Sequence, residues 1–328
     1  MLQAFVSSTR DSARPALRFT PELLLLLGTA LAFICFPYDL GFLTQALIMM
    51  ILVLSLDLIL GYAGVPSLGQ AAMYGTGAYA AGLFAIHVTQ GPVLGLLAGG
   101  VAGALVAWAS GLLLMRTHGL TLLLLSIAVA MVLQDTAMKA RSLTGGADGL
   151  TGITMGPVLG VFEFDLQGRT GFWYACAVLL IAMLSLRTIV NSSFGLALRG
   201  IKNSPTRMLA IGTPVYRRLV TAYTIAGAIA GIAGALSAQI TALVSVEAYN
   251  FALSAEIMVM LILGGAGRLF GAIVGTLVFM VVHHVAAAID PFNWLFAIGV
   301  LLLIVVFFAP EGLLSIPTRL AGLVRRSP

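Results

Sequence analysis

Few residues of this chain could do chemistry, and most of them lie inside apolar runs. Asp57 sits in "MMILVLSLDLILGYAGVPSLG", one turn before a glycine-rich break. A carboxylate within a bilayer costs about 2.5–3.5 kcal/mol on insertion scales, so Asp57 is expected to face protein rather than lipid. Two uses are open to it. It can accept hydrogen bonds from the amides of the following "GYAGVPS" turn, or it can touch a substrate or ion. Glu256, in the short apolar window 251–265, reads either as an interfacial residue near the outer surface or as a second path carboxylate. With a helix placed from Ser67 onward, Ser67, Gln70 and Tyr74 fall at i, i+3 and i+7 and form an uncharged polar face suited to lining a substrate path. Beside them Ser67, Ala71, Gly75, Ala78 and Gly82 form a narrow small-residue stripe, which lets a neighbouring backbone approach closely.

Other chemistries lack their residues. No GxSxG, HExxH or CxxC pattern occurs, and the adjacent His283 and His284 point to different faces of a helix. The only lysines are Lys139 and Lys202, and no GxxxxGK[ST] loop exists. The glycines of "TGGADGLTGI" at 144–153 have the wrong spacing for one. Cys35 and Cys176 fall in apolar runs and read as small packing residues. No catalytic residue, cofactor or metal is expected.

The elements that must position these residues are membrane helices. The chain has 328 residues, 60% hydrophobic and 9% charged, with mean hydropathy +1.07. A soluble domain carries about 25% charged residues, so the solvent for most of this protein is the lipid bilayer. Ten apolar windows of bilayer length recur, at about 22–37, 40–60, 66–88, 92–115, 119–138, 171–187, 218–243, 251–265, 269–289 and 292–309. The fold expected is all-α and polytopic, with about ten transmembrane helices. Residues 1–21 and 310–328 are expected as cytoplasmic terminal segments flanking a transmembrane domain at 22–309. "ALA" at 30–32 resembles a cleavage site, but the apolar run continues to about Phe36, so an uncleaved first helix is expected.

Ten crossings sort the 17 Lys and Arg residues 14 to 3. Only Lys139, Arg141 and Arg169 fall opposite the termini, which places both termini in the cytoplasm. The pI near 9.5 is therefore a topology signal, and no nucleic-acid partner is expected. The longest outer loop is 139–170 and the longest inner one 187–217. The inner loop sets Leu196, Leu198, Ile201, Met208, Leu209 and Ile211 among basic residues, as amphipathic helical turns broken by Pro205 and Gly212.

Several blocks resemble one family. "LDLILGYAGVPSLGQAAMYGTGAYAAG" is similar to the signature of permease subunits of branched-chain amino acid ABC importers, the LivH/LivM type. "MRTHGLTLLLLSIAVAMVLQD" followed by "TGGADGLTGI" resembles the LivM-type middle, which places the chain closer to LivM. "SSFGLALRGIKNSPTRMLAIGTPVYRRLVTAYTIAGAIAGIAGAL", "LILGGAGRLFGAIVGTLV" and "FFAPEGLL" agree in order, over roughly residues 40 to 315. The resemblance implies the helical fold of the type II importers, in a bacterial inner membrane. It implies a heterodimer with a second permease subunit, two cytoplasmic ATPase subunits and a periplasmic substrate-binding protein. Relatives of this architecture carry branched-chain or other small amino acids, urea or short amides. Residues 199–217 then correspond to the loop that couples to an ATPase. Gly212 stands at the family's glycine, while "NSPTR" replaces an acidic residue often found early in that loop. A short helix over 199–212 is expected to seat in an ATPase groove, with Met208, Leu209 and Ile211 entering it and Arg199 and Arg207 orienting it. The alternative is an ion-coupled secondary transporter with Asp57 and Glu256 as coupling groups, for which a structured basic inner loop has no use.

Overall fold

The computed structural model of the chain describes residues 20–36, 38–158, 160, 162–163, 165, 167–289 and the single positions 296, 299, 300 and 312. The expected terminal segments, with Arg10, Arg14, Arg18, Arg319, Arg325 and Arg326, and the expected window 292–309 lie wholly or almost wholly outside the described residues. The chain divides into two units after Leu40. The first contributes α1 (Thr20–Cys35), an apolar helix of 16 residues.

Within the second unit the elements are α2 (Leu40–Leu56), α3 (Gln70–His87), α4 (Pro92–Leu114), α5 (Leu120–Lys139), the single turn α6 (Arg141–Thr144), α7 (Arg169–Asn191), α8 (Ser193–Asn203), α9 (Pro205–Ala210), α10 (Val215–Thr241), α11 (Phe251–Gly264) and α12 (Leu269–Ile289). β-structure among the described residues is confined to the isolated bridges Leu150–Val244 and Val158–Phe162. An all-helical answer follows from the solvent. In lipid every backbone N–H and C=O must be satisfied within its own segment.

Among the described residues six helices are long and apolar enough to cross a membrane: Leu40–Tyr62, Pro92–Leu114, Leu120–Lys139, Arg169–Asn191, Val215–Thr241 and Leu269–Ile289. The apolar part of α1 (Leu25–Ile34) and α11 are shorter. α3 has 18 residues, but its glycines and polar side chains keep it outside that apolar group. The expected ten crossings are thus supported for six.

α4 and α10 run antiparallel, because hydrogen bonds join their opposite ends. Tyr216 Oη donates to the Leu112 carbonyl at 2.8 Å, and Gln239 Nε2 donates to the Pro92 carbonyl at 2.7 Å. α3 packs against both. The three meet backbone to backbone: a β-carbon on Gly77 would strike the backbone of Gly231, and one on Gly103 would strike Gly227 and Gly231. Only glycine permits so close an approach. Away from this seam the surface is apolar, with Leu97, Val101 and Leu105 of α4 and Leu124 and Val132 of α5 exposed as lipid-facing residues would be.

Contacts separate the loops of this unit into two ends. One end gathers Gly61, Lys202 and Asp57 with Gly267, and Arg116 with Tyr216. The other gathers Gln90 with Thr154 and Gly156, Leu150 with Val244, and Pro92 with Gln239. The loop expected at 139–170 folds over this second end, where Leu150, Ile153, Val244 and Tyr249 form a buried cluster with Ala78, Tyr79 and Ala238.

Candidate functional site

The break after α2 begins inside the helix. Over Asp57–Tyr62 the backbone widens into π geometry, and the Ala63 N–H donates to the Leu58 carbonyl, five residues back. Such widened turns appear frequently at functional sites. Asp57 is fully buried. Its Oδ1 accepts a 2.7 Å hydrogen bond from the Gly267 N–H, in the turn between α11 and α12. Its Oδ2 has no partner among the described residues. The partner amide therefore comes from the late glycine block and not from the "GYAGVPS" turn.

The next helix starts at Gln70, not at Ser67 as the sequence spacing suggests. Pro66 and Gly64 (φ +73°) hold the intervening chain out of helical geometry. Three serines satisfy amides at the start of α3. Gly69 N–H donates to Ser67 Oγ at 3.2 Å, Leu68 N–H to Ser126 Oγ at 3.1 Å, and Ala71 N–H to Ser254 Oγ at 3.1 Å. A helix start buried in the protein needs such acceptors. Gln70 is buried, with Ser55 Oγ donating to its Oε1 at 3.5 Å and its Nε2 left without a partner among the described residues. The polar face expected from Ser67, Gln70 and Tyr74 thus divides: the first two belong to this buried capping cluster, and Tyr74 belongs elsewhere.

Tyr74 lines a cavity of about 290 Å³ between α2, α3, α10 and α11, toward the end of the unit that holds Val244. Ser237 of α10 lines the same cavity. Gln45, Thr241 and Ser245 add uncharged polar groups, and Ala78 and Leu253 add apolar wall. A few polar groups on an otherwise apolar concave surface is what small ligands select. Larger grooves of about 580 Å³ and 480 Å³ run along α4, but their walls are chiefly apolar and aromatic side chains of membrane helices. Glu256 is half-buried on α11 and shares no hydrogen bond or ion pair with Asp57, Gln70 or Tyr74 among the described residues.

The small-residue stripe of α3 meets side chains as well as backbone. A β-carbon on Gly75 would meet the Tyr249 ring, and one on Gly82 would meet Leu150 and Ile153. Ala71 lies at the Ser254 contact and Ala78 in the cluster with Val244. A backbone-to-backbone crossing with α10 runs through Gly77, which the stripe omits. Ser126, Ser254 and Gln239 are also absent from the sequence-based set; Ser126 is a lone polar residue in an apolar run, Ser254 precedes Glu256 by two residues, and Gln239 lies between Ser237 and Thr241.

The inner loop forms two short helices where one was expected over 199–212. Ser204 and Pro205 divide them, since proline offers no N–H to continue α8 and Ser204 Oγ instead accepts from the Arg207 N–H. Gly212 (φ +83°) ends the second. Leu198 and Ile201 are buried on the inner face of α8. Leu209 and Ile211 are 59% and 74% exposed. Met208 turns back against Gly200 of α8, so it braces the pair of helices and is not an outward anchor. Arg199 lies over the Tyr62 ring, 5.2 Å from its centroid, while Arg207 is exposed on α9.

An all-helical chain with six helices long and apolar enough to cross a membrane, and with aliphatic side chains exposed along them, is an integral membrane protein. Residues 39–307 match the family described as "Branched-chain amino acid transport system / permease component", and the chain belongs to that family. It is 26% identical over 318 residues to the high-affinity branched-chain amino acid transport system permease protein LivM of Escherichia coli K12, covering 89% of this chain and 73% of that one. The same-named protein of Salmonella typhimurium LT2 is 25% identical over 313 residues, with the same coverage. The probable branched-chain amino acid transport permease protein LivM of Methanocaldococcus jannaschii is 24% identical over 312 residues, covering 80% of this chain and 88% of that one. No solved structure matches the chain.

Proposed function

We propose that this chain is one of two permease subunits of an ABC importer for branched-chain amino acids in a bacterial inner membrane. A periplasmic binding protein delivers the substrate, and two cytoplasmic ATPases supply the energy. The observation that carries the proposal is the family match over residues 39–307. The cavity at Tyr74 supports it: uncharged hydroxyl and amide groups suit a zwitterion of no net charge, and Ala78 and Leu253 suit an aliphatic side chain. Asp57, Ser67, Gln70 and Glu256 are proposed to contribute to the path or its walls by position. Labelled leucine uptake by cells expressing the complete transporter tests the substrate. Excess unlabelled isoleucine and valine are expected to compete and urea is not. Competition by urea with none by valine would overturn the assignment.

The orientation proposed is with both termini in the cytoplasm. It is supported by Arg116, Arg187, Arg199, Lys202, Arg207, Arg217, Arg218 and Arg268, which fall in or beside the segments at the Gly61 end. Lys139, Arg141 and Arg169 fall beside the outer loop. In intact cells an impermeant thiol reagent is expected to label Asp148→Cys and to spare Thr206→Cys. The reverse pattern would invert the topology.

A further inference from the structure

Three segments distant in sequence converge at the Gly61 end of the unit. The widened turn of α2 leaves the Gly61 carbonyl outside the helix ladder, and Lys202 Nζ of α8 donates to it at 2.7 Å. From the same turn Asp57 Oδ1 takes the Gly267 N–H. Gly61 makes the second contact possible, since a β-carbon there would strike Asp57 Oδ1 and the Gly267 nitrogen. Gly267 (φ +89°) holds a left-handed conformation that presents its N–H to the carboxylate. Arg199, one turn before Lys202, covers the Tyr62 ring. The Lys202 side chain also lies against Gly64, the left-handed residue of the break.

We infer that Lys202 is a positioning residue that ties the inner loop to the end of α2 and, through Asp57, to the α11–α12 turn. Displacement of α8 and α9 is thereby passed to both turns at once. This rests on the reading of that loop as the ATPase dock. The tie adds side chain to backbone contacts to an end of the unit that also holds the cation–π pairs of Arg199 with Tyr62 and Arg218 with Phe194. A charged donor on a carbonyl is among the stronger and more directional hydrogen bonds. The break before α3 and the turn before α12 flank the elements that wall the Tyr74 cavity, so a pull on them reaches the proposed path through rigid helices.

The test is a redox-switchable tie in the reconstituted full transporter, with Cys35→Ala and Cys176→Ala as background. Lys202→Cys alone is expected to keep its ATPase subunits and hydrolyse ATP. Uptake per ATP should fall roughly tenfold or more, since one hydrogen bond from a charged group corresponds to about ten- to 150-fold. Lys202→Arg, which can still donate to the Gly61 carbonyl, is expected to retain most of the coupling. Gly64→Cys with Lys202→Cys should recover coupling when oxidised and lose it when reduced, in one and the same folded sample. A coupling ratio unchanged in Lys202→Cys, or unchanged between the two redox states of a cross-linked sample, would overturn the inference. Failure of the unmodified chain to retain ATPase subunits would refute the docking reading itself, before any Lys202 variant is measured.

Discussion

Replacing Leu209 and Ile211 together by aspartate is expected to abolish substrate-stimulated ATP hydrolysis and uptake while leaving the chain inserted in the membrane. Both side chains stand largely in solvent on a loop that α8, α9 and Gly212 hold in a fixed shape. Large apolar groups exposed on a structured basic loop mark a contact surface. Burying two such side chains in a groove is worth about 1.5–3 kcal/mol each. Their loss corresponds to roughly two to four orders of magnitude in affinity, and two added carboxylates would be desolvated without partners. Met208 is left unchanged, because it packs on Gly200 and its loss would disturb α8 itself. The readouts are ATPase subunits retained on purification and phosphate release by the reconstituted complex. A double variant that keeps its ATPase subunits and full uptake would remove the loop from energy coupling.

Gly231→Leu is expected to eliminate folded protein. A β-carbon at Gly231 would meet the Gly99 carbonyl and the Gly103 backbone, at the point where α3, α4 and α10 cross. Overpacking costs about 1–3 kcal/mol where side chains can shift, and occasionally more. Here the obstacles are backbone atoms of two buried helices, which move only if the crossing opens. Gly75→Leu meets the Tyr249 ring, a side chain that can swing, and is expected to be milder. Monodispersity in detergent and yield from membranes separate the two. A Gly231→Leu protein of normal yield and normal elution would contradict the crossing.

The membrane class and most helix positions were legible in the sequence, because lipid demands long apolar windows and punishes everything else. Asp57 was legible as a buried carboxylate beside a break. Its partner was not: a backbone N–H carries no residue-type signal, and 210 residues separate Asp57 from Gly267. Gly75 and Gly77 look alike in a small-residue run, and only the α10 crossing distinguishes them. Ser126 and Ser254 cap α3 from two other helices, and a single serine has no period to betray it. The extension of α3 back to Ser67 ignored the conformation that Gly64 and Pro66 impose. Met208 had the right spacing to face outward with Leu209 and Ile211, but the division at Pro205 turns it inward.

The most direct measurement is leucine accumulation in proteoliposomes that hold this chain with its second permease and ATPase subunits, with the binding protein outside. Accumulation is expected to require ATP sealed within the vesicles and to be unaffected when proton and sodium gradients are collapsed by ionophores. Accumulation that follows an imposed proton or sodium gradient without ATP, by this chain alone, would contradict the account and make it an ion-coupled carrier.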